Sequence, residues 1–290
     1  MTTGTLGFAG LGQMGGPMAA NIVKGGFPLV VYDKAGTAGR APEKSTPVDS
    51  LDALAKAAET IFISLPDGPA CLAFAGDLAA IQGRATKAVI DLSTIGLAAA
   101  RDMSKLLAGA DIVYVDAPVS GGQAGARAGT ITVMWAGPAD LLERLRKVLK
   151  AFSKNLFNVG PTPGQGQTVK MLNNFLSATA MAATTEAVSF GLAQGLDMKT
   201  ILDVVNVSTG RNTASSDKFV NRIMTGTFDA GFKTRLLAKD VRLFHENATA
   251  AGTPNEIATV MADIWRRAAE AMPEADFTRI YSFLRGEQRS

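Results

Sequence analysis

Along the first half of the chain, short and nearly continuous apolar runs alternate with longer stretches whose apolar positions recur at helical spacing. The runs at 6–9, 29–32, 61–65, 89–92, 112–115 and 131–135 are rich in β-branched residues and only four or five residues long. That is the pattern of strands buried on both faces. Helical periodicity occupies 14–25, 51–58, 69–81, 97–108 and 138–152 between them. Strand alternating with helix predicts an α/β domain, a doubly wound and mostly parallel sheet covered by helices on both faces.

After residues 158–160 the texture changes, because Pro161, Pro163, Gly164 and Gly166 punctuate the chain and no convincing strand follows. The expected division is therefore 1–161 for the α/β domain and 162–290 for an all-helical domain. A long helical pattern covers 165–194, and shorter ones follow near 198–206, 213–225, 234–250, 254–268 and 274–285. Residues 171–185 carry no charge while Ala, Ser and Thr recur. A helix that is neutral all round is expected to be buried, packed between domains or between subunits.

Composition then narrows the chemistry. The chain has 290 residues, of which 47% are hydrophobic, with a single histidine, His245, and a single cysteine, Cys71. An intrachain disulfide is impossible, zinc sites built from several His and Cys ligands lack candidates, and a Ser-His-Asp triad would have to use His245. No metal is expected. His245, five residues beyond Asp240, reads as structural or surface, and Cys71 as a helix residue without partners. Catalytic protons are left to Lys, Asp, Glu or Tyr.

The net charge of +3 comes from 29 basic and 26 acidic side chains scattered along the chain, which is too weak a field for a nucleic-acid reader. Arg144, Arg146, Lys147 and Lys150 have the spacing of one solvated helix face. The mild positive balance suits small anionic molecules. No run reaches the roughly 18 to 20 apolar residues that span a bilayer, and no charged n-region precedes the first strand. A soluble, unexported, cytoplasmic protein without a membrane partner is expected.

The strongest local signal is Gly10-Leu11-Gly12-Gln13-Met14-Gly15, a G-x-G-x-x-G placed between the first strand and the first helix. Gly10 allows the tight turn, Gly12 lets the backbone approach a pyrophosphate, and Gly15 lets helix and strand pack closely. The helix N-terminus offers unpaired N–H groups to phosphate. Asp33 ends the second strand, where a carboxylate accepts from both ribose hydroxyls and repels a 2'-phosphate. NAD is therefore preferred, while Lys34 keeps NADP open. The loops holding Leu65 and Pro66, and Thr94, lie at the carboxyl edge where ligands of open α/β sheets collect. Thr94 either contacts the cofactor or caps the following helix. A methyltransferase using S-adenosylmethionine would share the glycines and the acid.

Lys170 opens the neutral helix, and Asn174 follows four residues later on the same face, with Asn173 beside it. Either the lysine stem covers apolar surface while its head reaches water, or the amine enters a cleft. In a low-dielectric cleft the ammonium form is disfavoured, which suits Lys170 to general acid/base work. At the end of another strand, the Ser120 hydroxyl and the N–H groups of Gly121 and Gly122 offer a neutral anchor for a carboxylate. The alternative is a plain glycine turn.

These segments converge on a known pattern. The turn at 10–15, the run Asp116-Ala117-Pro118-Val119-Ser120-Gly121-Gly122, the stretch 164–174 around Lys170, and Phe232 through Lys239 and Asp240 together resemble the β-hydroxyacid dehydrogenases. That family includes 3-hydroxyisobutyrate dehydrogenases and tartronate semialdehyde or glyoxylate/succinic semialdehyde reductases. The resemblance covers almost the whole chain in the family's order. It implies a Rossmann domain, an all-helical second domain, an active site between them and a homodimer or homotetramer. It further implies that Lys170 is the catalytic lysine, that Ser120, Gly121, Gly122, Asn174, Phe232 and Asp240 contact substrate, and that Thr94 and Lys239 lie near the nicotinamide. The substrate would be a small anionic hydroxy acid or its semialdehyde. Members vary near 208–213 to select substrates, where Arg211, Asn212 and Thr213 stand here. Two readings compete, a non-catalytic dinucleotide-binding regulator and an imine reductase, and Lys170 argues against both.

Overall fold

The computed structural model describes residues 4–287, and the chain divides into two compact units, Met1–Lys170 and Met171–Ser290. In the first unit, strands β1 (Leu6–Ala9), β2 (Leu29–Tyr32), β3 (Thr46–Pro47), β4 (Thr60–Ile63), β5 (Ala88–Asp91) and β6 (Val113–Asp116) pair in parallel. Strands β7 (Val119–Ser120), β8 (Ile131–Ala136) and β9 (Ser153–Gly160) complete a nine-stranded sheet of order β3-β2-β1-β4-β5-β6-β8-β7, with β9 pairing parallel to β8. Strand β8 runs antiparallel to β6 and β7. The chain thus builds outward from β1 in one direction and restarts at β4 on its other side. That reversal makes the crevice at the carboxyl ends of β1 and β4 the natural ligand site.

The parallel strands are continuous apolar runs because alternate residues enter two different cores. Phe8, Phe62, Ile90 and Val115 pack on one face with Met18 and Ile22 of α1 (Gly15–Lys24) and Leu145 and Leu149 of α6 (Ala139–Phe152). Ala9, Ile61, Ile63, Val89 and Tyr114 face the other way, onto α2 (Leu51–Ala57), α3 (Gly68–Ala80) and α4 (Leu97–Ala108).

All six expected strands are present, displaced by at most two residues at either end, and α1 to α4 and α6 fall where the periodicity placed them. Strands β3, β7 and β9 and the short helix α5 (Gly122–Ala128) were not expected. Strand β9 carries Lys154, Asn155 and Asn158 and leaves Phe157 57% exposed. A strand of that composition at the sheet margin lacks the buried alternation that betrays a strand in sequence.

The second unit is built from most of α7 (Gln165–Ala193), α8 (Met198–Val205), a π-helical segment (Ala214–Ile223), α9 (Thr234–Ala250), α10 (Glu256–Ala271), a 3₁₀ turn (Phe277–Arg279) and α11 (Ile280–Leu284). Among its described residues there is no strand, only the single bridge Lys233 to Asp276. Met181, Val188, Phe219, Leu237, Val241, Trp265 and Ile280 form its core. Within the single chain α7 is not buried all round. Leu172, Leu176 and Phe190 are 38, 61 and 69% exposed, because only the opposite face, with Ala178, Met181 and Val188, enters the core.

Candidate active site

The glycine-rich turn is explained position by position. Gly10 has φ +90°, and a Cβ there would sit 2.4 Å from the Ser64 carbonyl oxygen; at Gly15 it would sit 1.8 Å from the Gly10 carbonyl oxygen. Both glycines are required by the protein's own packing. At Gly12 nothing lies within 4 Å of such a Cβ, so open space adjoins the backbone where a pyrophosphate would approach. Helix α1 begins beyond Met14 with no side-chain cap and no acid in its first turn, which leaves its positive end for an anion. Gln13 is exposed and Met14 half-buried beside it.

At the end of β2 the Asp33 carboxylate accepts from Leu11 N at 2.7 Å and from Ala35 N at 2.8 Å, while Asp33 N donates to Thr37 Oγ1 at 2.9 Å. The acid is thereby tied to the glycine turn itself. Sequence reading missed Arg40, whose Nε lies 4.0 Å from Asp33 Oδ1. The open Gly12 backbone, the uncapped helix and the fixed carboxylate together fit a dinucleotide.

Further along the same sheet edge, Leu65 N donates to Ser93 Oγ at 2.9 Å, which joins the loops after β4 and β5. Leu65 is half-buried and Pro66 exposed. Thr94 is half-buried and is not the cap of α4, which starts at Leu97 behind Gly96 at φ +82°. Ser120 lies opposite Thr132 in the β7–β8 pair. Gly121 and Gly122 adopt φ +132° and +64°, conformations that side chains resist.

The start of α7 is fastened to the ends of β5 and β6. Asp116 Oδ2 accepts from Gly164 N and Gln167 N, each at 2.9 Å, and Oδ1 accepts from Gln167 Nε2 at 2.7 Å. Gln167 Nε2 also donates to the Ser93 carbonyl at 3.0 Å, and Gln167 Oε1 accepts from Ile95 N and Gly96 N at 2.8 and 3.0 Å. Asp91, the register partner of Asp116, accepts from Ser93 N at 2.9 Å and Tyr114 OH at 3.0 Å. Burial pushes the Asp91 carboxyl up to about 7, against the opposing pull of its Ser93 hydrogen bonds. Burial raises Asp116 too, although four hydrogen bonds oppose it, and drives the Tyr114 hydroxyl well above its ordinary value. Lys170, one turn beyond Gln167, is only 8% exposed.

In the second unit, buried Asn174 donates through Nδ2 to Asp240 Oδ2 at 2.6 Å and accepts from Asn173 Nδ2 at 3.1 Å. Lys239 Nζ lies 3.4 Å from Asp240 Oδ1. Asn174, Lys239 and Asp240 are therefore one polar cluster. Phe232 packs edge-on against Phe277, with centroids 6.2 Å apart. The Asn212 side chain accepts from Ala214 N and Ser215 N and pairs with Thr184, so it holds a helix start, whereas Arg211 and Thr213 are exposed. His245 meets Thr259 Oγ1 at 3.1 Å on the surface. Cys71 is not without a partner: its buried Sγ lies 3.6 Å from Ser93 Oγ.

Among the described residues no helix is long and apolar enough to cross a membrane, and no group of three or more His, Cys, Asp or Glu is placed to hold a metal ion. Residues 5–160 match the family model described as the NAD binding domain of 6-phosphogluconate dehydrogenase, and residues 164–284 match the NAD-binding region of NADP-dependent 3-hydroxyisobutyrate dehydrogenase. The chain is 34% identical to the mitochondrial 3-hydroxyisobutyrate dehydrogenase of Homo sapiens over 98% of its own length and 87% of that protein. It is likewise 34% identical to the 3-hydroxyisobutyrate dehydrogenase of Pseudomonas aeruginosa, over 97 and 98% of the two chains. A solved structure of the Mycobacterium tuberculosis 3-hydroxyisobutyrate dehydrogenase with L-serine superposes with a TM-score of 0.89 at 29% identity, covering 98% of this chain and all of that one.

Proposed function

The chain belongs to the β-hydroxyacid dehydrogenase family of NAD(P)-dependent oxidoreductases, and on that premise we propose that it moves hydride between NAD and a small 3-hydroxy acid, with Lys170 as general acid/base. The observation that carries the reading is Lys170 itself, a lysine 8% exposed at the start of a helix fastened to the ligand edge of the sheet. A lysine so enclosed, in a chain whose one histidine lies on the surface beside Thr259, is the best candidate for moving the alcohol proton.

Residues 1–161 hold the cofactor through the 10–15 turn, Asp33, the Leu65–Pro66 loop and Thr94, and residues 162–290 supply the substrate side and the contacts between subunits. Bound NAD supplies a hydride acceptor at its nicotinamide ring. In oxidation the substrate loses hydride from its carbinol carbon while Lys170 accepts the hydroxyl proton and the carbonyl forms; in reduction Lys170 returns that proton. Ser120, Gly121 and Gly122 anchor the carboxylate, and Asn174, Phe232, Lys239 and Asp240 complete the surroundings. The two molecules named with the relatives, 3-hydroxyisobutyrate and L-serine, share a hydroxymethyl group on the carbon that bears the carboxylate. That unit is the substrate class we assign. The exposed apolar stripe of α7 supports a homo-oligomer, and the lone cysteine suits the cytoplasm.

Positioned proton transfer is worth about 10²- to 10⁴-fold. Lys170→Ala should accordingly lower kcat/KM by at least about 10²-fold on a panel of 3-hydroxy acids, followed by nicotinamide absorbance, while NADH still binds. Near-normal turnover would remove Lys170 from the mechanism.

A further inference from the structure

We infer that Gln167 is a positioning residue that sets the Lys170 helix turn and the Thr94 loop as one rigid piece, with Asp116 holding Gln167 in register. The inference rests on the roles proposed above for Lys170 and Thr94. It starts from the completeness of one side chain's bonding. A primary amide has two N–H donors and an acceptor oxygen with two lone pairs, and in Gln167 all four are used. Oε1 accepts from Ile95 N and Gly96 N, and Nε2 donates to the Ser93 carbonyl and to Asp116 Oδ1. Three of these four partners, the Ser93 carbonyl, Ile95 N and Gly96 N, flank Thr94 along the chain. The residue is fully buried, so no water competes for those bonds.

The same residue is fixed on its backbone side. Gln167 N and Gly164 N both donate to Asp116 Oδ2, which places a carboxylate on the first N–H groups of α7. Between them, a Cβ at Gly166 would meet the Met134 carbonyl oxygen at 2.7 Å and the Asp116 carbonyl oxygen at 2.8 Å. The helix start is thus seated on β6 and β8 without slack. Lys170 follows three residues later, about 4.5 Å along the axis on the same side of the helix. Within so tightly seated a first turn, movement of Gln167 carries Lys170 and the 93–96 loop with it.

The amide is also chemically specific. Glutamate has nearly the same shape, but it would set acceptor oxygens against the Ser93 carbonyl and the Asp116 carboxylate. A placement error of about 1 Å can cost on the order of 10²-fold in rate even when the altered residue touches no reacting atom. Methionine keeps the volume of Gln167 and removes its four hydrogen bonds, so it separates positioning from packing.

The test uses the full-length enzyme with its best 3-hydroxy acid. Gln167→Met should reduce kcat by about 10- to 100-fold, change KM less than kcat, and shift the pH limb that Lys170 governs. The number of NADH-binding sites, counted by fluorescence titration, should stay at the wild-type value. Asp116→Asn, which keeps the shape but sets an NH₂ donor against N–H groups that Asp116 now accepts from, should lower kcat in the same direction, and it decides the matter should Gln167→Met fail to fold. In the Lys170→Ala background the Gln167→Met loss should shrink, because the group being positioned is gone. A Gln167→Met or Asp116→Asn enzyme with wild-type kcat and pH profile overturns the inference, as does a loss of activity matched by a loss of NADH-binding sites. If Lys170→Ala itself turns over normally, the reading of Lys170 fails first, and that result is distinct from an active Gln167→Met beside an inactive Lys170→Ala.

Discussion

Asp91 and Asp116 show how burial converts ordinary acids into structural devices. They face each other across β5 and β6 with no measurable exposure, and desolvation, reinforced by the mutual charge, favours the protonated form of Asp91. Its carboxyl stands at about 7 in the fold against 3.8 for the ordinary group, so the folded chain holds a proton that the unfolded chain releases between those values. Stability from this group is therefore greatest at low pH and is lost as pH rises toward and through 7. With 1.36 kcal/mol for each pH unit of difference, the loss at this site between pH 5.5 and 8.5 comes to about 2 kcal/mol. Asp91→Asn has no proton to lose. Urea unfolding of both proteins at the two pH values should show the variant gaining about 2 kcal/mol on the wild type at the higher one, and parallel pH profiles would refute the assignment.

At the scale of elements, β1, the glycine turn, α1 and β2 act as one unit, because the Asp33 carboxylate at the end of β2 accepts a hydrogen bond from Leu11 inside the turn. The acid cannot swing aside for a 2'-phosphate without releasing Leu11 N and Ala35 N. Arg40, 4.0 Å away, and exposed Lys34 soften the repulsion. We expect NADH to outperform NADPH at equal concentration and Asp33→Asn to narrow the preference by about tenfold, the effect of roughly 1.4 kcal/mol. A wild-type enzyme tenfold faster with NADPH would contradict this account. The elements of this half were legible in sequence because a parallel strand buried on both faces is a continuous apolar run and because Gly10 and Gly15 are needed for the protein's own packing. Strand β9 and helix α5 were not, since one is a polar marginal strand and the other reads as a glycine loop. Lys170 was legible as a charge heading a neutral helix. Gln167 was not, because an uncharged side chain three residues earlier gives no sign of burial until the ends of β5 and β6 are seen to receive it.

For the whole molecule, the neutrality of α7 bears on the expectation that this helix packs between domains or between subunits. Neutral residues on all sides predict burial on all sides, yet Leu172, Leu176 and Phe190 remain 38, 61 and 69% exposed in the single chain. At 100° per residue, positions 172, 176, 183 and 190 fall on one stripe, which runs for about 27 Å along the helix. Thr179 and exposed Glu186 lie close to the same line, yet large apolar side chains left exposed at both ends of one helix face mark an interface rather than a wet surface. A second copy of the chain is the occupant that the family's implied assembly favours, since the same stripe meeting itself across a two-fold axis needs no other partner. Light scattering should therefore give two or four times the 30.2 kDa protomer mass. Leu176→Glu combined with Phe190→Glu places charges on that stripe without entering the core of either unit, and should yield folded monomers with an unchanged far-ultraviolet dichroism spectrum. A monomeric wild-type protein, or an assembly indifferent to both charges, would mean that the stripe serves some other contact.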